Sequence, residues 1–320
     1  ETRCRVLPLA TGTAANSVTL AALTPVWGAV LCHRQAHIHC DEGGAPEFYT
    51  HGAKLMPLDG DAGKLVPEGL AAAIDGAGTH GVHNVAPAVV SITQATECGT
   101  AYRADEIAAL AEVARSRGLP LHMDGARFAN AVAHLGAAPA DVTWRAGVDV
   151  LSFGATKNGA MTAEAIVVFE DRFDDRVSGQ SSNRPSDRPF DHSLDRVLES
   201  MARMRKRGGH LLSKMRYVSA QLLAMLDDGL WLDLARTANA RAAGLAEAIE
   251  RHPEARLAWP VEANEVFMRW SPEALAGLKQ QGFEFHLWPG HDDLARLVCA
   301  FSTTDEAVDE LIAALNRPVP

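Results

Sequence analysis

Short apolar runs alternate with stretches of helical spacing through the first half of the chain, and this alternation constrains the fold more than any other feature. Arg5 to Leu9 reads as a strand, Thr11-Gly12-Thr13 as a turn and Ala14 to Leu23 as a helix. Ala29 to Cys32 predicts a short buried strand. Ala86 to Ile92 predicts another, rich in the β-branched Val89, Val90 and Ile92. Ala104 to Gly118 carries apolar residues at helical spacing and stops on a glycine suited to a helix C-terminus. Leu119 to Met123 and Val148 to Phe153 are two further strands. Helices between strands of these lengths predict an α/β fold with a mostly parallel sheet covered on both faces.

Beyond that half the pattern changes. Asp174 to Ser193 holds two prolines among small polar residues and reads as a surface loop. Helical stretches follow at Leu211 to Leu226 and Asp233 to Glu250. The tail then reads as strand (Arg256 to Trp259), strand (Glu265 to Trp270), helix (Pro272 to Gln281), strand (Phe283 to Trp288), strand (Arg296 to Phe301) and helix (Asp305 to Asn316). Two domains are expected, a large α/β one over 1–210 and a small α+β one over 211–320.

With 47% apolar and 22% charged residues, the composition is that of an ordinary globular protein. The net charge of −10 argues against a nucleic-acid partner, which calls for a basic face. Five scattered cysteines without a CxxC pair read as reduced thiols of a cytoplasmic protein. The longest mostly apolar stretch, Ala14 to Leu31, is interrupted by Asn16, Ser17, Thr19, Thr24 and Pro25, so no membrane span is expected. No signal peptide opens the chain. Glu1-Thr2-Arg3-Cys4 lacks an initiator methionine, which suggests that a preceding segment is missing.

Three places can carry chemistry. Leu119 to Met123 delivers Asp124 at the carboxyl end of a buried strand, the edge where open α/β sheets collect ligands. The plainer alternative is a helix cap in an Asp-Gly loop. Lys157 follows the next strand within Gly154-Ala155-Thr156-Lys157-Asn158-Gly159, where small neighbours let a ligand approach and the amine can form a Schiff base. A solvated loop lysine is the alternative. Gly12 and Thr13 open a helix after a strand, an arrangement that suits a phosphate: the backbone comes close, the hydroxyl donates and the helix start favours negative charge. It also suits a simple capped helix. Taken together, a phosphate turn, a strand-end carboxylate and a lysine at the next strand end match the needs of pyridoxal phosphate: an anchor, a partner for the pyridine nitrogen and an imine-forming amine. Cys32, His33, His37, His39, Cys40 and Asp41 invite a zinc reading, but no second cluster with structural-zinc spacing exists, and no metal is expected. Trp231, Trp259, Trp270 and Trp288 read as core residues.

Segments spread through the chain resemble the threonine aldolase and aromatic amino acid β-eliminating lyase family of fold type I pyridoxal phosphate enzymes, closest to its low-specificity L-threonine aldolase and phenylserine aldolase branch. They are ATGTAANS (10–17), QAHIHCDEGGAPEF (35–48), ITQATECGTAYR (92–103), LHMDGARFANA (121–131), GVDVLSFGATKNG (147–159), LLSKMRYVSAQ (211–221) and VEANEVF (261–267). The resemblance implies an aspartate aminotransferase-like fold and retro-aldol cleavage of a β-hydroxy-α-amino acid to glycine and an aldehyde. It implies that Lys157 is the Schiff-base lysine, Asp124 the pyridinium partner, Gly12 and Thr13 the phosphate turn and His37 the ring-stacking histidine. Arg127 matches an arginine near cofactor and substrate carboxylate, and Arg296 the carboxylate clamp. Lys214 matches a phosphate contact from a neighbouring subunit in an ambiguous local alignment. It further implies a homodimer or homotetramer.

Two departures stand out. Many relatives have a histidine where this chain has Glu97, leaving His37 or Glu97 as the base for the substrate hydroxyl. Relatives also carry a further N-terminal segment with an active-site serine. Open alternatives are another fold type I enzyme, either a β-eliminating lyase or an aminotransferase; a truncated, catalytically silent protein on this scaffold; and an α/β ligand-binding domain without cofactor.

Overall fold

The computed structural model describes residues 2–77, 79–173 and 192–317, so the loop expected over Asp174 to Ser193 falls outside the described residues except for its last two positions. Seven strands form one sheet: β1 (Cys4–Leu9), β2 (Gly28–His33), β3 (Lys54–Leu58), β4 (Ala86–Thr93), β5 (Leu121–Gly125), β6 (Val150–Gly154) and β7 (Glu164–Phe169), in the order β1-β7-β6-β5-β4-β2-β3. Strands β6, β5, β4, β2 and β3 run parallel, as the alternating pattern predicts. At one edge β7 turns back antiparallel on β6, and β1 pairs antiparallel with β7. Only residues 155–163 join β6 to β7, too few for the crossover helix that a parallel return requires. Sequence reading missed β3, an edge strand that tolerates Pro57 where a central strand would not, and β7, which opens on the charged Glu164.

Alternation along each central strand feeds two cores. Leu31, Val90, Ile92, Leu121, Met123, Leu151 and Phe153 face one side, under the helices Pro67–Ala77, Ala104–Ser116 and Phe128–Leu135. Val30, Cys32, Val89 and Val150 face the other, under the helix Gly12–Leu23. That helix is buried on every side from Ala14 to Leu23, because the helices Ala45–Tyr49 and Leu194–Arg207 cover its back. Its face of the sheet carries a polar stripe. Ser91, His122 and Ser152 lie on adjacent strands, and both ring nitrogens of His122 are hydrogen-bonded to the serine hydroxyls at 2.9 Å. Full burial pushes the His122 pKa down to about 4, so the ring is neutral and the stripe satisfied.

A second, antiparallel sheet, ordered β10-β11-β9-β8, consists of β8 (Arg256–Leu257), β9 (Glu265–Arg269), β10 (His286–Leu287) and β11 (Leu294–Val298). It packs with the helices Pro272–Gln280 and Asp305–Leu315 around Ile249, Val266, Met268, Trp270 and Leu297. The helix Leu230–Arg251 joins the two bodies, giving Trp231 and Ala235 to the first core and Leu245 and Ile249 to the second. Several predicted elements shorten, among them the strand expected over Arg256 to Trp259, which is reduced to Arg256–Leu257. The helix expected from Leu211 starts at Arg216, because Leu211 and Leu212 are exposed, and the strand expected over Phe283 to Trp288 is reduced to His286–Leu287. Trp231 and Trp270 are core residues; Trp259 and Trp288 are only half-buried, each edge-on to Phe267 at 5.1 Å. Among the described residues no helix is long and apolar enough to cross a membrane.

Candidate active site

Because Leu121 and Met123 point into the opposite core, His122 and Asp124 face the helix Gly12–Leu23. Asp124, buried at the end of β5, accepts hydrogen bonds from the Ala126 amide at 3.0 Å and from Asn16 Nδ2 at 2.8 Å. Asn16 Nδ2 also donates to Glu42 Oε1 at 2.9 Å, and the same oxygen accepts from His37 Nδ1 at 3.0 Å. The orientation of the Asn16 amide is forced, since the reverse would set its oxygen between two carboxylates. The Glu42 carboxylate likewise fixes the proton of His37 on Nδ1 and leaves Nε2 as the acceptor. The hydrogen bond to Glu42 raises the His37 pKa, assisted by the charges of Glu97 and Asp124; burial and Lys157 act against it.

Lys157 lies in a tight turn, Thr156–Asn158, just beyond β6. Asn158 Nδ2 ties the turn to the Trp231 carbonyl at 2.7 Å. The amine of Lys157 has no hydrogen bond or ion pair among the described residues. Its side chain is open to solvent, yet protein atoms crowd around it. That partial desolvation, together with the Arg127 charge, lowers its pKa against the pull of Asp124, Glu97 and Glu265. Asp124 and Ser152 are register partners, so carboxylate and amine stand at adjacent strand ends. Gly12 and Thr13 are the first two residues of their helix. The Thr11 side chain caps the Ala14 amide at 3.2 Å, leaving the Gly12 and Thr13 amides without an internal partner. A Cβ at Gly12 would meet nothing within 4 Å, so the space beside it is open.

A second group of charges lies within electrostatic reach of the first. Glu97, in the buried turn after β4, has its pKa raised to about 7, chiefly by burial and then by Glu265, against Arg127 and His37. Glu265 on β9 takes Nε of Arg296 at 2.8 Å and also its Nη2 on Oε1, while its Oε2 stands 3.2 Å from Nε of the buried Arg127. The two arginines singled out in the sequence therefore share one carboxylate.

These features have counterparts among known proteins. Residues 4–271 match the β-eliminating lyase family. The chain is 41% identical to the low specificity L-threonine aldolase of a Pseudomonas strain over 316 residues, covering 99% of this chain and 84% of that protein. It is 41% identical to the protein of the same name from Pseudomonas aeruginosa, covering 97% and 82%. Threonine aldolase from Leishmania major superposes with a TM-score of 0.83 at 26% identity, over 99% of this chain and 85% of that one. The chain belongs to the β-eliminating lyase family. Members of this family are lyases that depend on pyridoxal phosphate, and the fold is type I, as the sequence implies.

The residues fit the family's cofactor. A partnerless amine, a buried carboxylate and two free amides beside open space are the three attachments a pyridoxal phosphate requires. Of the residues singled out in the sequence, Lys157, Asp124, His37, Glu97, Arg127 and Arg296 are gathered within electrostatic reach or contact of one another, and Gly12 and Thr13 open the helix that supplies Asn16. Lys214 is exposed and has no side-chain partner among the described residues. The Cys32 to Asp41 residues are not gathered: His33 bonds to the Gly60 carbonyl, His37 to Glu42 and the Cys40 thiol to the Arg34 carbonyl. Sequence reasoning missed Asn16, Glu42 and Glu265. For Asn16 and Glu265 the available signal was a polar residue next to a run that burial patterning places in the core; Glu42, between an aspartate and two glycines, carried no such signal.

Proposed function

We propose that the protein is an aldolase that cleaves L-threonine, L-allo-threonine or a related β-hydroxy-α-amino acid such as phenylserine to glycine and an aldehyde. The observation that carries the reading is a partnerless amine on Lys157 beside the buried Asp124 at neighbouring strand ends. The names and identity of the Pseudomonas relatives support it. Bound pyridoxal phosphate supplies an aldehyde for the substrate amine and a ring that accepts the electron pair of the broken Cα–Cβ bond. Lys157 Nζ anchors that aldehyde, and its lowered pKa leaves more of the amine unprotonated near neutrality. Asp124 would hold a proton on the ring nitrogen, His37 would contact the ring, and the Gly12 and Thr13 amides would receive the phosphate. Arg296, with Arg127, would bind the substrate carboxylate and so fix the orientation of the Cα–Cβ bond. His37 Nε2 or Glu97 takes the β-hydroxyl proton; a carboxyl with a pKa near 7 is matched to that task.

Several coarser assignments accompany this reading. We assign a large cofactor-binding domain to 1–210 and a small one to 211–320, with Lys214 reaching the phosphate of a neighbouring copy in a homodimer or homotetramer. Five free cysteines suit the cytoplasm, where the enzyme would form glycine and break down threonine. The test is incubation of the holoprotein with L-threonine. Acetaldehyde and glycine in equal amounts are expected, and Lys157→Ala should abolish both products and the visible absorbance of the bound cofactor. Ammonia and an oxo acid would instead mark an eliminating lyase, and amino transfer to an added oxo acid an aminotransferase. A bound cofactor with no turnover of any β-hydroxy amino acid would mark a silent protein.

A further inference from the structure

We propose that Glu265 is a positioning residue that sets both arginines, Arg127 and Arg296, as one binding site for the substrate's α-carboxylate. The inference rests on the aldolase reading only in taking those arginines as carboxylate ligands. Glu265 is 1% exposed, and a carboxylate so buried is costly unless countercharges meet it. One oxygen takes Nε and Nη2 of Arg296, and the other faces Nε of Arg127. Arg296 is therefore held along one edge of its guanidinium, and its Nη1 has no partner among the described residues. Nε of Arg127 stands 3.2 Å from Glu265 Oε2 as an ion pair without hydrogen-bond geometry, and neither of its Nη atoms has a partner among the described residues. Planar guanidinium groups held this way keep donors in a fixed geometry for a second carboxylate.

The position of Glu265 is itself fixed from two sides. Arg296 lies opposite Phe267 in the β9–β11 register, which sets Glu265 and Arg296 on one face of the small sheet. On the other side, the loop that carries Glu97 is stitched to the segment before Glu265: the Ala101 amide donates to Glu262 Oε2 at 2.8 Å and the Glu262 amide to the Gly99 carbonyl at 3.1 Å. Gly99, at a φ of +75°, lies so close that a Cβ there would come within 3.0 Å of the Glu265 carbonyl. The same carboxylate thus joins an arginine of the large sheet to one of the small sheet, at a point with little freedom to shift.

An ion pair that merely ties the two sheets together would look similar in a static structure, so the test separates binding of a carboxylate from binding of an amine. Holoenzyme carrying Glu265→Gln is compared with the parent for kcat and KM on L-threonine, and for the Kd of glycine and of methylamine, read from the visible spectrum of the cofactor. The glycine Kd and threonine KM should rise by about tenfold or more, with the methylamine Kd unchanged. Unchanged glycine affinity, or equal weakening of glycine and methylamine, overturns the inference. Should the glutamine variant not hold cofactor, Glu265→Asp decides. It keeps the charge but retracts the oxygens by one methylene, so selectivity for glycine over methylamine should fall by about threefold, and parental selectivity overturns the proposal. Arg296→Ala tests the reading underneath. If it leaves glycine affinity intact, the carboxylate assignment itself fails; if it weakens glycine while Glu265→Gln does not, only the role of Glu265 fails.

Discussion

The two banks of the site, the group around Asp124 and the group around Glu265, are built on different physics. On one, Asp124, Asn16, Glu42 and His37 form a hydrogen-bonded chain in which every link is 3.0 Å or shorter, and a neutral amide spaces two carboxylates. On the other, Glu97, Arg127, Glu265 and Arg296 set two acids against two guanidinium groups across the junction of two sheets. A hydrogen-bonded chain fixes direction, and through direction the protonation of each atom, which suits groups facing a flat ring. A cluster of charges balances itself without aligning every bond: Arg127 Nε and Glu265 Oε2 are both buried and lack hydrogen-bond geometry despite standing 3.2 Å apart. Such a cluster can accept a further carboxylate, whereas the hydrogen-bonded chain offers no free cationic group for one.

The comparison breaks most decisively at the end of the chain. Asp124→Ala removes the charge meant for the ring nitrogen and should lower kcat by about 10²–10³-fold, the scale seen when one preorganised electrostatic partner is lost. Lys157 and the helix start are untouched, so the visible absorbance of bound cofactor should remain. Parental turnover in that variant would remove the bank's claimed purpose.

Glu42→Gln sharpens the contrast with a smaller effect. The side chain keeps its shape but replaces the charged hydrogen-bond acceptor, whose bond is the largest cause of the raised His37 pKa, with a neutral and weaker one. The imidazole should titrate at lower pH, nearer its ordinary value, and activity should fall about tenfold, as for other residues that orient a functional histidine. Ring-proton NMR across pH 5–9 measures the first and steady-state kinetics the second. A His37 titration identical in both proteins would show that the chain does not carry charge to the ring.

Legibility in the sequence followed the same division. Asp124, Lys157, Gly12 and Thr13 sit where a strand ends or a helix begins, and such punctuation is local in sequence. The parallel core was readable for the same reason. The antiparallel return of β7 was not, because a period of two gives no strand direction. Asn16 hid in a helix beside Ser17 and Thr19, which are buried as fully, and Glu42 looked like a loop acid beside two glycines. Glu265 looked like the polar member of an alternating strand. Its meaning depends on Arg127, far away in sequence, and only the packing of one sheet against the other brings them together.

The smallest effect concerns stability rather than turnover, and it distinguishes the banks by their response to pH. Burial raises the Glu97 pKa from an ordinary 4.5 to about 7, helped by Glu265 and Asp124 and opposed by Arg127 and His37. The folded protein then holds a proton that the unfolded chain releases, so stability is complete below about pH 4.5, falls as pH rises and levels off above about 7. The shift corresponds to about 3 kcal/mol at most. Glu164, likewise raised to about 7 by its own burial beneath the Lys157 turn, contributes a second loss over the same window. Glu97→Gln removes one of the two. Denaturant unfolding of the cofactor-free protein should give equal stabilities for parent and variant near pH 4.5, and a variant more stable by about 1–3 kcal/mol at pH 8. Glu164, and the opposite contribution of the neutral, buried His122, remain in both proteins, so the difference between variant and parent isolates Glu97. A stability difference between variant and parent that does not grow between pH 5 and 8 would mean that the charge cluster already neutralises Glu97 in full, leaving no carboxyl there with a pKa suited to moving the substrate's proton.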